Sequence, residues 1–154
     1  MKWITRERPK IDRVACPWLI ARFIDDDPEF LFVAPDQVVP QASETGAIPF
    51  DVEGVELSHD GPKCSFDAFI AKYSLGEDDA LQTIATIVRG ADTARLDLAP
   101  QAAGLLAISL GLSANYRDDH AMLEQGMVVY DALYAWCKDR QGETHNWTPA
   151  PAVQ

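Results

Sequence analysis

The chain has 154 residues, 47% hydrophobic and 24% charged, the makeup of a single domain that buries a core without disulfide staples. Its formal net charge of -11 repels a phosphate backbone, which argues against direct nucleic-acid binding. No stretch approaches the roughly 18 apolar residues of a membrane span, and the opening residues lack the apolar core of a secretory leader, so a cytoplasmic protein is expected.

Charge is unevenly spread. Residues 1–22 carry six basic and two acidic groups, for +4, and the remainder carries -15. A basic patch on an acidic body attracts a small anion or an acidic partner, or else consists of ordinary solvated side chains. The three cysteines, Cys16, Cys64 and Cys137, are too few and too odd in number for a disulfide framework.

In chain order, residues 3–55 read as mixed α/β. Pro17 fits a first helical position, so Cys16 is expected directly before a short helix carrying Trp18, Leu19, Ala21, Phe23 and Ile24. The wholly apolar run Phe30-Leu31-Phe32-Val33 predicts a buried strand. Pro35, Pro40 and Pro49 then punctuate a loop-rich stretch with one or two short elements. From Ser65 the pattern turns helical. Ser65 caps a helix bearing Phe66, Phe69, Ile70 and Tyr73, closed by Gly76. Asp78 or Asp79 opens the next, with Leu81, Ile84, Ala85 and Val88 before Gly90. A third, Ala102 to Leu112, is apolar nearly all round and is expected at the centre of the core. A long fourth helix runs from Asp118 or Asp119 to about Lys138. The expected fold class is α+β, a small N-terminal α/β portion with a short sheet packed against a C-terminal bundle of about four helices. Residues 1–140 form the domain, and 141–154 read as a flexible tail.

Two constellations carry chemistry. His120 and Glu124, four residues apart, share one face of the long helix and converge on a single ion. His59 in the turn His59-Asp60-Gly61-Pro62, and Asp92 and Asp97 near helix ends, are further ligand types on rigid supports. A mixed nitrogen and oxygen set suits a divalent transition metal, zinc, manganese or iron. The bland alternative makes His120 and Glu124 an exposed helical pair and His59 a turn residue. The second constellation is thiol-centred: Cys16 and Cys64 each precede a helix, whose N-terminus stabilises a thiolate and binds anions. Arg13 stands near the first and Lys63 beside the second. Against this stands the frequency with which cysteine is buried for packing alone. A His-Asp pair with a later lone Asp also has the outline of the HD-type metal phosphohydrolases, a short pattern that arises easily by chance. There is no Gly-x-Gly-x-x-Gly fingerprint, phosphate-binding loop, CxxC pair or nucleophile elbow.

The stretch Trp3-Ile4-Thr5-Arg6-Glu7-Arg8-Pro9-Lys10-Ile11-Asp12-Arg13-Val14-Ala15-Cys16-Pro17-Trp18-Leu19-Ile20 resembles the opening of the ChrB-type chromate-resistance domain. So do Glu56-Leu57-Ser58-His59, Cys64-Ser65-Phe66-Asp67-Ala68-Phe69, Val88-Arg89-Gly90-Ala91-Asp92-Thr93 with Asp97-Leu98-Ala99-Pro100-Gln101, and Asp118-Asp119-His120-Ala121-Met122-Leu123-Glu124. The resemblance implies a role in chromate resistance. Some family members carry an N-terminal DNA-binding region and act as regulators, and others are fused to a sulfurtransferase-like domain. This sequence starts directly at the resistance domain, so regulation by this chain alone is not expected.

The leading expectation is a metal-binding domain for chromate resistance or oxidative stress response, with metal-dependent redox or oxyanion chemistry open to it. His59, Asp92, His120 and Glu124 would hold the ion, Cys64 would act as nucleophile, and Arg13, Cys16 and Lys63 would line the anion site. The alternative is a non-enzymatic chromate or oxyanion sensor working through a partner protein. A third reading is an assembly subunit pairing with itself or a partner through the acidic surface and aromatics near Trp136 and Trp147.

Overall fold

The computed structural model describes residues 1–145. The expected tail from 141 onward, and Trp147 with it, falls mostly outside them.

A three-stranded parallel sheet organises the N-terminal part. β1 (Lys2–Arg6) lies between β2 (Glu29–Val33) and β3 (Ile48–Pro49). The β1 residues Trp3, Ile4 and Thr5 are fully buried, because a central strand is covered on both faces. Alternation sends Trp3 into the main core and Ile4 into a smaller cluster with Val38, Ala42 and Ala47. The Thr5 hydroxyl is satisfied by donating to the Phe50 carbonyl at 2.8 Å.

Helix α1 (Asp12–Leu19) follows β1, and α2 (Val38–Thr45) precedes β3. The chain thus winds from β1 to β2 on one side of the sheet, then crosses to β3 on the other. That reversal leaves a crevice outside the carboxyl ends of β1 and β3, where open α/β sheets place their ligands. Pro17 lies inside α1, not at its start. Its missing N–H leaves the Arg13 carbonyl without its usual helical donor, and the helix relaxes three residues later into a π-helical turn, Ile20–Ile24. Cys16 is therefore a mid-helix residue. The expectation that it stands before a helix is corrected, because α1 begins at Asp12.

The C-terminal part holds four helices, α3 (Ser65–Lys72), α4 (Asp79–Asp92), α5 (Ala102–Asn115) and α6 (Asp119–Asp139). The α+β class stands, with α1 and α2 raising the number of α-helices above the bundle's four. Asp78 and Asp118 cap α4 and α6 by accepting from the backbone N–H groups of Leu81 and Ala121. Helix α4 runs through Gly90 because that glycine serves packing: a Cβ there would meet the Arg95 carbonyl oxygen at 2.9 Å. Helix α5 departs from its expected place. It buries Ala102, Leu105, Ser109 and Ser113, while Ile108 and Leu110 are 50% and 48% exposed. It packs on α4 and α6 from one side only, so uniform apolarity did not make it central.

Candidate metal centre at the carboxyl ends of β1 and β3

Asp12, the first residue of α1, is 1% exposed. Its carboxylate accepts the backbone N–H groups of Ser65 (2.7 Å) and Phe66 (3.0 Å), the exposed donors of the first turn of α3. The Cys16 thiol donates to it as well, at 3.3 Å. The residue before it, Ile11, has φ 47° and ψ -100°, a backbone conformation that a β-branched side chain adopts only under strain. The Tyr130 hydroxyl of α6 holds this strained residue by donating to the Ile11 carbonyl at 3.1 Å. That oxygen also accepts from the Val14 and Ala15 N–H groups, at 3.1 and 2.8 Å, so Tyr130→Phe removes one of three donors and is expected to destabilise the fold by about 1 kcal/mol, read by urea denaturation.

Asp51 follows β3 with φ 51° and is 5% exposed. The Arg6 guanidinium donates to its carboxylate at 2.7 Å, the Arg13 Nε lies 3.3 Å away, and the Ser65 hydroxyl donates at 2.8 Å. Arg13 also donates to the carbonyls of Arg6 and Glu7. Asp92 ends α4 and points into the same space. His59 enters from the loop before α3, ahead of a turn in which Asp60 and Lys63 bond one another's backbone and Gly61 takes φ 56°.

These elements bring three carboxylates to one imidazole nitrogen. His59 Nε2 lies 3.0 Å from Asp92, 3.2 Å from Asp51 and 3.5 Å from Asp12. Hydrogen bonding with Asp12, reinforced by the three negative charges, raises the His59 pKa to about 9. Burial and the neighbouring charges of Asp12 and Asp51 raise Asp92 to about 6, with His59 opposing. Arg6 and Arg13 balance Asp51, and the α3 N–H groups balance Asp12. The His59 proton answers to all three carboxylates but can form only one good hydrogen bond.

Donor atoms of Asp12, His59 and Asp92 all lie within 4.8 Å of one another, close enough to share one ion. One imidazole with carboxylates is a donor set for zinc, manganese or iron. Beside it opens a cavity of about 530 Å³ lined by Arg6, Pro35, Asp51, Ser58 and His59.

The structure thus brings His59 and Asp92 together and adds Asp12 and Asp51, which the spacing argument passed over. His120 and Glu124 are exposed on α6, and His120 packs edge-on against Phe32 with ring centroids 5.2 Å apart. Among the described residues, neither belongs to a group of three donors able to share an ion. Asp97 is exposed and paired with Arg95. Lys63 is exposed, whereas Cys16 and Cys64 are fully buried. Burial and the carboxylate of Asp12 push the Cys16 thiol well up, and burial with Asp12 and Asp67 does the same to Cys64. At the N-terminus of α3 the Asp67 N–H donates to the Cys64 side chain and lowers its pKa, but burial and the carboxylates of Asp12 and Asp67 outweigh it, and Asp12 takes the N–H groups of Ser65 and Phe66. Asp67 is in turn fixed by two bonds from Arg89, at 2.7 and 2.9 Å.

Asp12 sits where a strand's carboxyl end leads into a helix, and Asp51 just beyond a strand. That strand-end signal could have singled out both, had β1 and β3 been recognised as neighbours.

The family model described as "ChrB, C-terminal domain" matches residues 3–137. Protein ChrB of Cupriavidus metallidurans is 33% identical over 133 residues, which is 86% of this chain and 40% of that protein. The chain therefore spans less than half the length of this curated relative. No solved structure matches. Sequence and match agree over nearly the whole described domain, and the chain belongs to the family of the ChrB C-terminal domain.

Proposed function

We propose that Asp12, His59 and Asp92 hold a divalent transition-metal ion, zinc, manganese or iron, and that the domain uses it in chromate resistance. The observation that carries the reading is the convergence of three carboxylates on one imidazole nitrogen at 3.0–3.5 Å. A cation with several open coordination positions satisfies that arrangement better than one proton does. The chromate connection rests on family membership and on the motifs carrying the resemblance. When bound, the ion supplies Lewis-acid or redox capacity. The chain's own residues position it: the α3 N–H groups orient Asp12, Arg6 and Arg13 orient Asp51, and the open side of His59 faces the cavity.

The metal-free oxyanion sensor is less well supported. Three carboxylates beside the cavity repel a dianion, Arg13 is committed to carbonyls and to Asp51, and both cysteines are buried. Elemental analysis and calorimetry on chelator-treated protein test the proposal. About one equivalent of metal is expected to bind, and His59→Ala or Asp92→Asn is expected to weaken it at least about tenfold. Chromate binding in chelator with no metal uptake would favour the sensor instead.

A further inference from the structure

Arg6 is the last residue of β1, and its guanidinium lines the cavity of about 530 Å³ that opens beside His59. The cavity lies at the carboxyl ends of all three strands, since Pro35 follows β2 and residues 52–55 follow β3. Open α/β sheets bind ligands in such a crevice. The volume falls within the roughly 300–1,000 Å³ of small-molecule sites, far more than a bare oxyanion fills.

The guanidinium is committed along one edge only. Its Nε donates to the Asp51 carbonyl at 3.1 Å and its Nη2 to the Asp51 carboxylate at 2.7 Å, which fixes the side chain. Nη1 donates to nothing among the described residues, and the side chain is 38% exposed. The Nη1–Nη2 edge is therefore a preorganised two-pronged donor, the geometry that matches a carboxylate. Ser58 adds a hydroxyl to the same cavity, again without a partner among the described residues. Val55 is half-buried yet belongs to neither hydrophobic cluster, so core packing does not account for it. With Pro35 and Val52 it gives the cavity an apolar wall. Glu53, exposed on the same loop, lines the cavity too, and with Asp51 it disfavours a doubly charged anion more than a singly charged one.

We propose that this cavity binds a small organic carboxylate, with the carboxylate on the free edge of Arg6 and the apolar body against Pro35, Val52 and Val55. The cavity adjoins the proposed metal centre through His59, but these contacts need no ion, so the two sites stand or fall separately.

NMR titration of the isotope-labelled whole chain, stripped of metal by chelator and then desalted, tests this with phenylacetate as the probe. Phenylacetate is expected to saturate with a Kd of about 1 mM and to shift the amides of Glu53, Val55 and Ser58. Its neutral amide, phenylacetamide, and the dianion phenyl phosphate are expected to bind at least about tenfold more weakly. Arg6→Gln and Val55→Asp are each expected to weaken phenylacetate at least about tenfold. Val55→Asp leaves the bonds of Asp51 in place, so it reads the cavity whether or not Arg6→Gln folds. The proposal is overturned by an absence of saturation below about 10 mM, by shifts confined to other surfaces, or by phenylacetamide or phenyl phosphate binding as tightly as phenylacetate. A folded Val55→Asp variant that binds like the wild type overturns it as well. Zinc titration of the same stripped protein separates the two sites. Phenylacetate binding without metal uptake sinks only the metal centre, and metal uptake without phenylacetate binding sinks only this cavity.

Discussion

Replacing Asp12 with alanine is expected to destabilise the domain by about 3–5 kcal/mol and to abolish metal binding with it. The carboxylate is 1% exposed and satisfies the N–H groups of Ser65 and Phe66, with the Cys16 thiol as a third donor. Without it, two backbone donors at the start of α3 are left buried and unpaired, each costing about 1–3 kcal/mol. The loss is partly offset, since removing one of three adjacent carboxylates relieves repulsion at Asp51 and Asp92. Asp12→Asn separates the two effects. It keeps one acceptor for the helix terminus while removing the charge, and is expected to lose about 2 kcal/mol yet bind metal no better than the alanine variant. Urea denaturation gives the stabilities, and a loss below about 1 kcal/mol for the alanine variant would contradict Asp12's role as the link between α1 and α3. Against a typical domain stability of about 5–15 kcal/mol, the alanine variant should remain foldable but strongly sensitised.

A second large effect is expected from pH, with opposite signs for stability and for metal affinity. The folded-state pKa of His59 is raised from 6.5 to about 9. Its stabilising contribution is fully present below pH 6.5 and is lost as pH rises through about 9. Asp92 is raised from 3.8 to about 6, so the folded state favours its neutral form. That contribution is complete below pH 3.8 and disappears as pH rises through about 6. Both groups make metal-free protein progressively less stable from the acid to the alkaline side of this span. The ion requires the same two groups without their protons, so its affinity should increase over the range in which apo-protein stability declines. Denaturation of chelator-treated protein across pH 6.5 to 9, beside calorimetric titration with zinc or manganese, reads both slopes. His59→Gln removes the alkaline limb from both, and a flat stability profile in the wild type would refute the assignment.

The acidic face of the cluster also has a cost in stability that function would have to justify. Packing three carboxylates together is unfavourable, and the structure spreads the burden by giving Asp12 a helix terminus, Asp51 two arginines and all three the charge of protonated His59. Asp92 is countered by His59 and by the Asp12 backbone N–H, which do not offset its burial and the charges of Asp12 and Asp51, and its pKa rises accordingly. Trading stability for a charged, partly exposed cluster is common where a ligand is to be bound.

Much of the architecture was legible in the sequence because it is written in local periodicity. The helix of Phe66, Phe69 and Ile70, the long helix opened by Asp118, a strand around Phe30 to Val33 and the turn just after His59 all follow from spacing and capping within a dozen residues, but that strand lies at the sheet's edge and buries only Phe30, where a buried strand was expected. Two further local inferences failed where the chain's surroundings decided. Pro17 looked like a helix start, but Asp12 nucleated α1 five residues earlier. α5 looked like a core helix because composition reports apolarity and not which side meets a neighbour. The charge and the cysteine count likewise followed from composition alone. The site did not. His120 and Glu124 satisfy the spacing of a shared ligand face, yet only tertiary packing decides which way that face turns, and it turns to solvent against Phe32. Asp12, Asp51, His59 and Asp92 lie up to 80 residues apart. They meet because parallel pairing of β1 with β3 sets two strand ends side by side, and because α3 and α4 close over that crevice. Side-chain chemistry is a property of each residue and is readable one position at a time. Convergence is a property of the folded chain, fixed by long-range pairing that no local window contains.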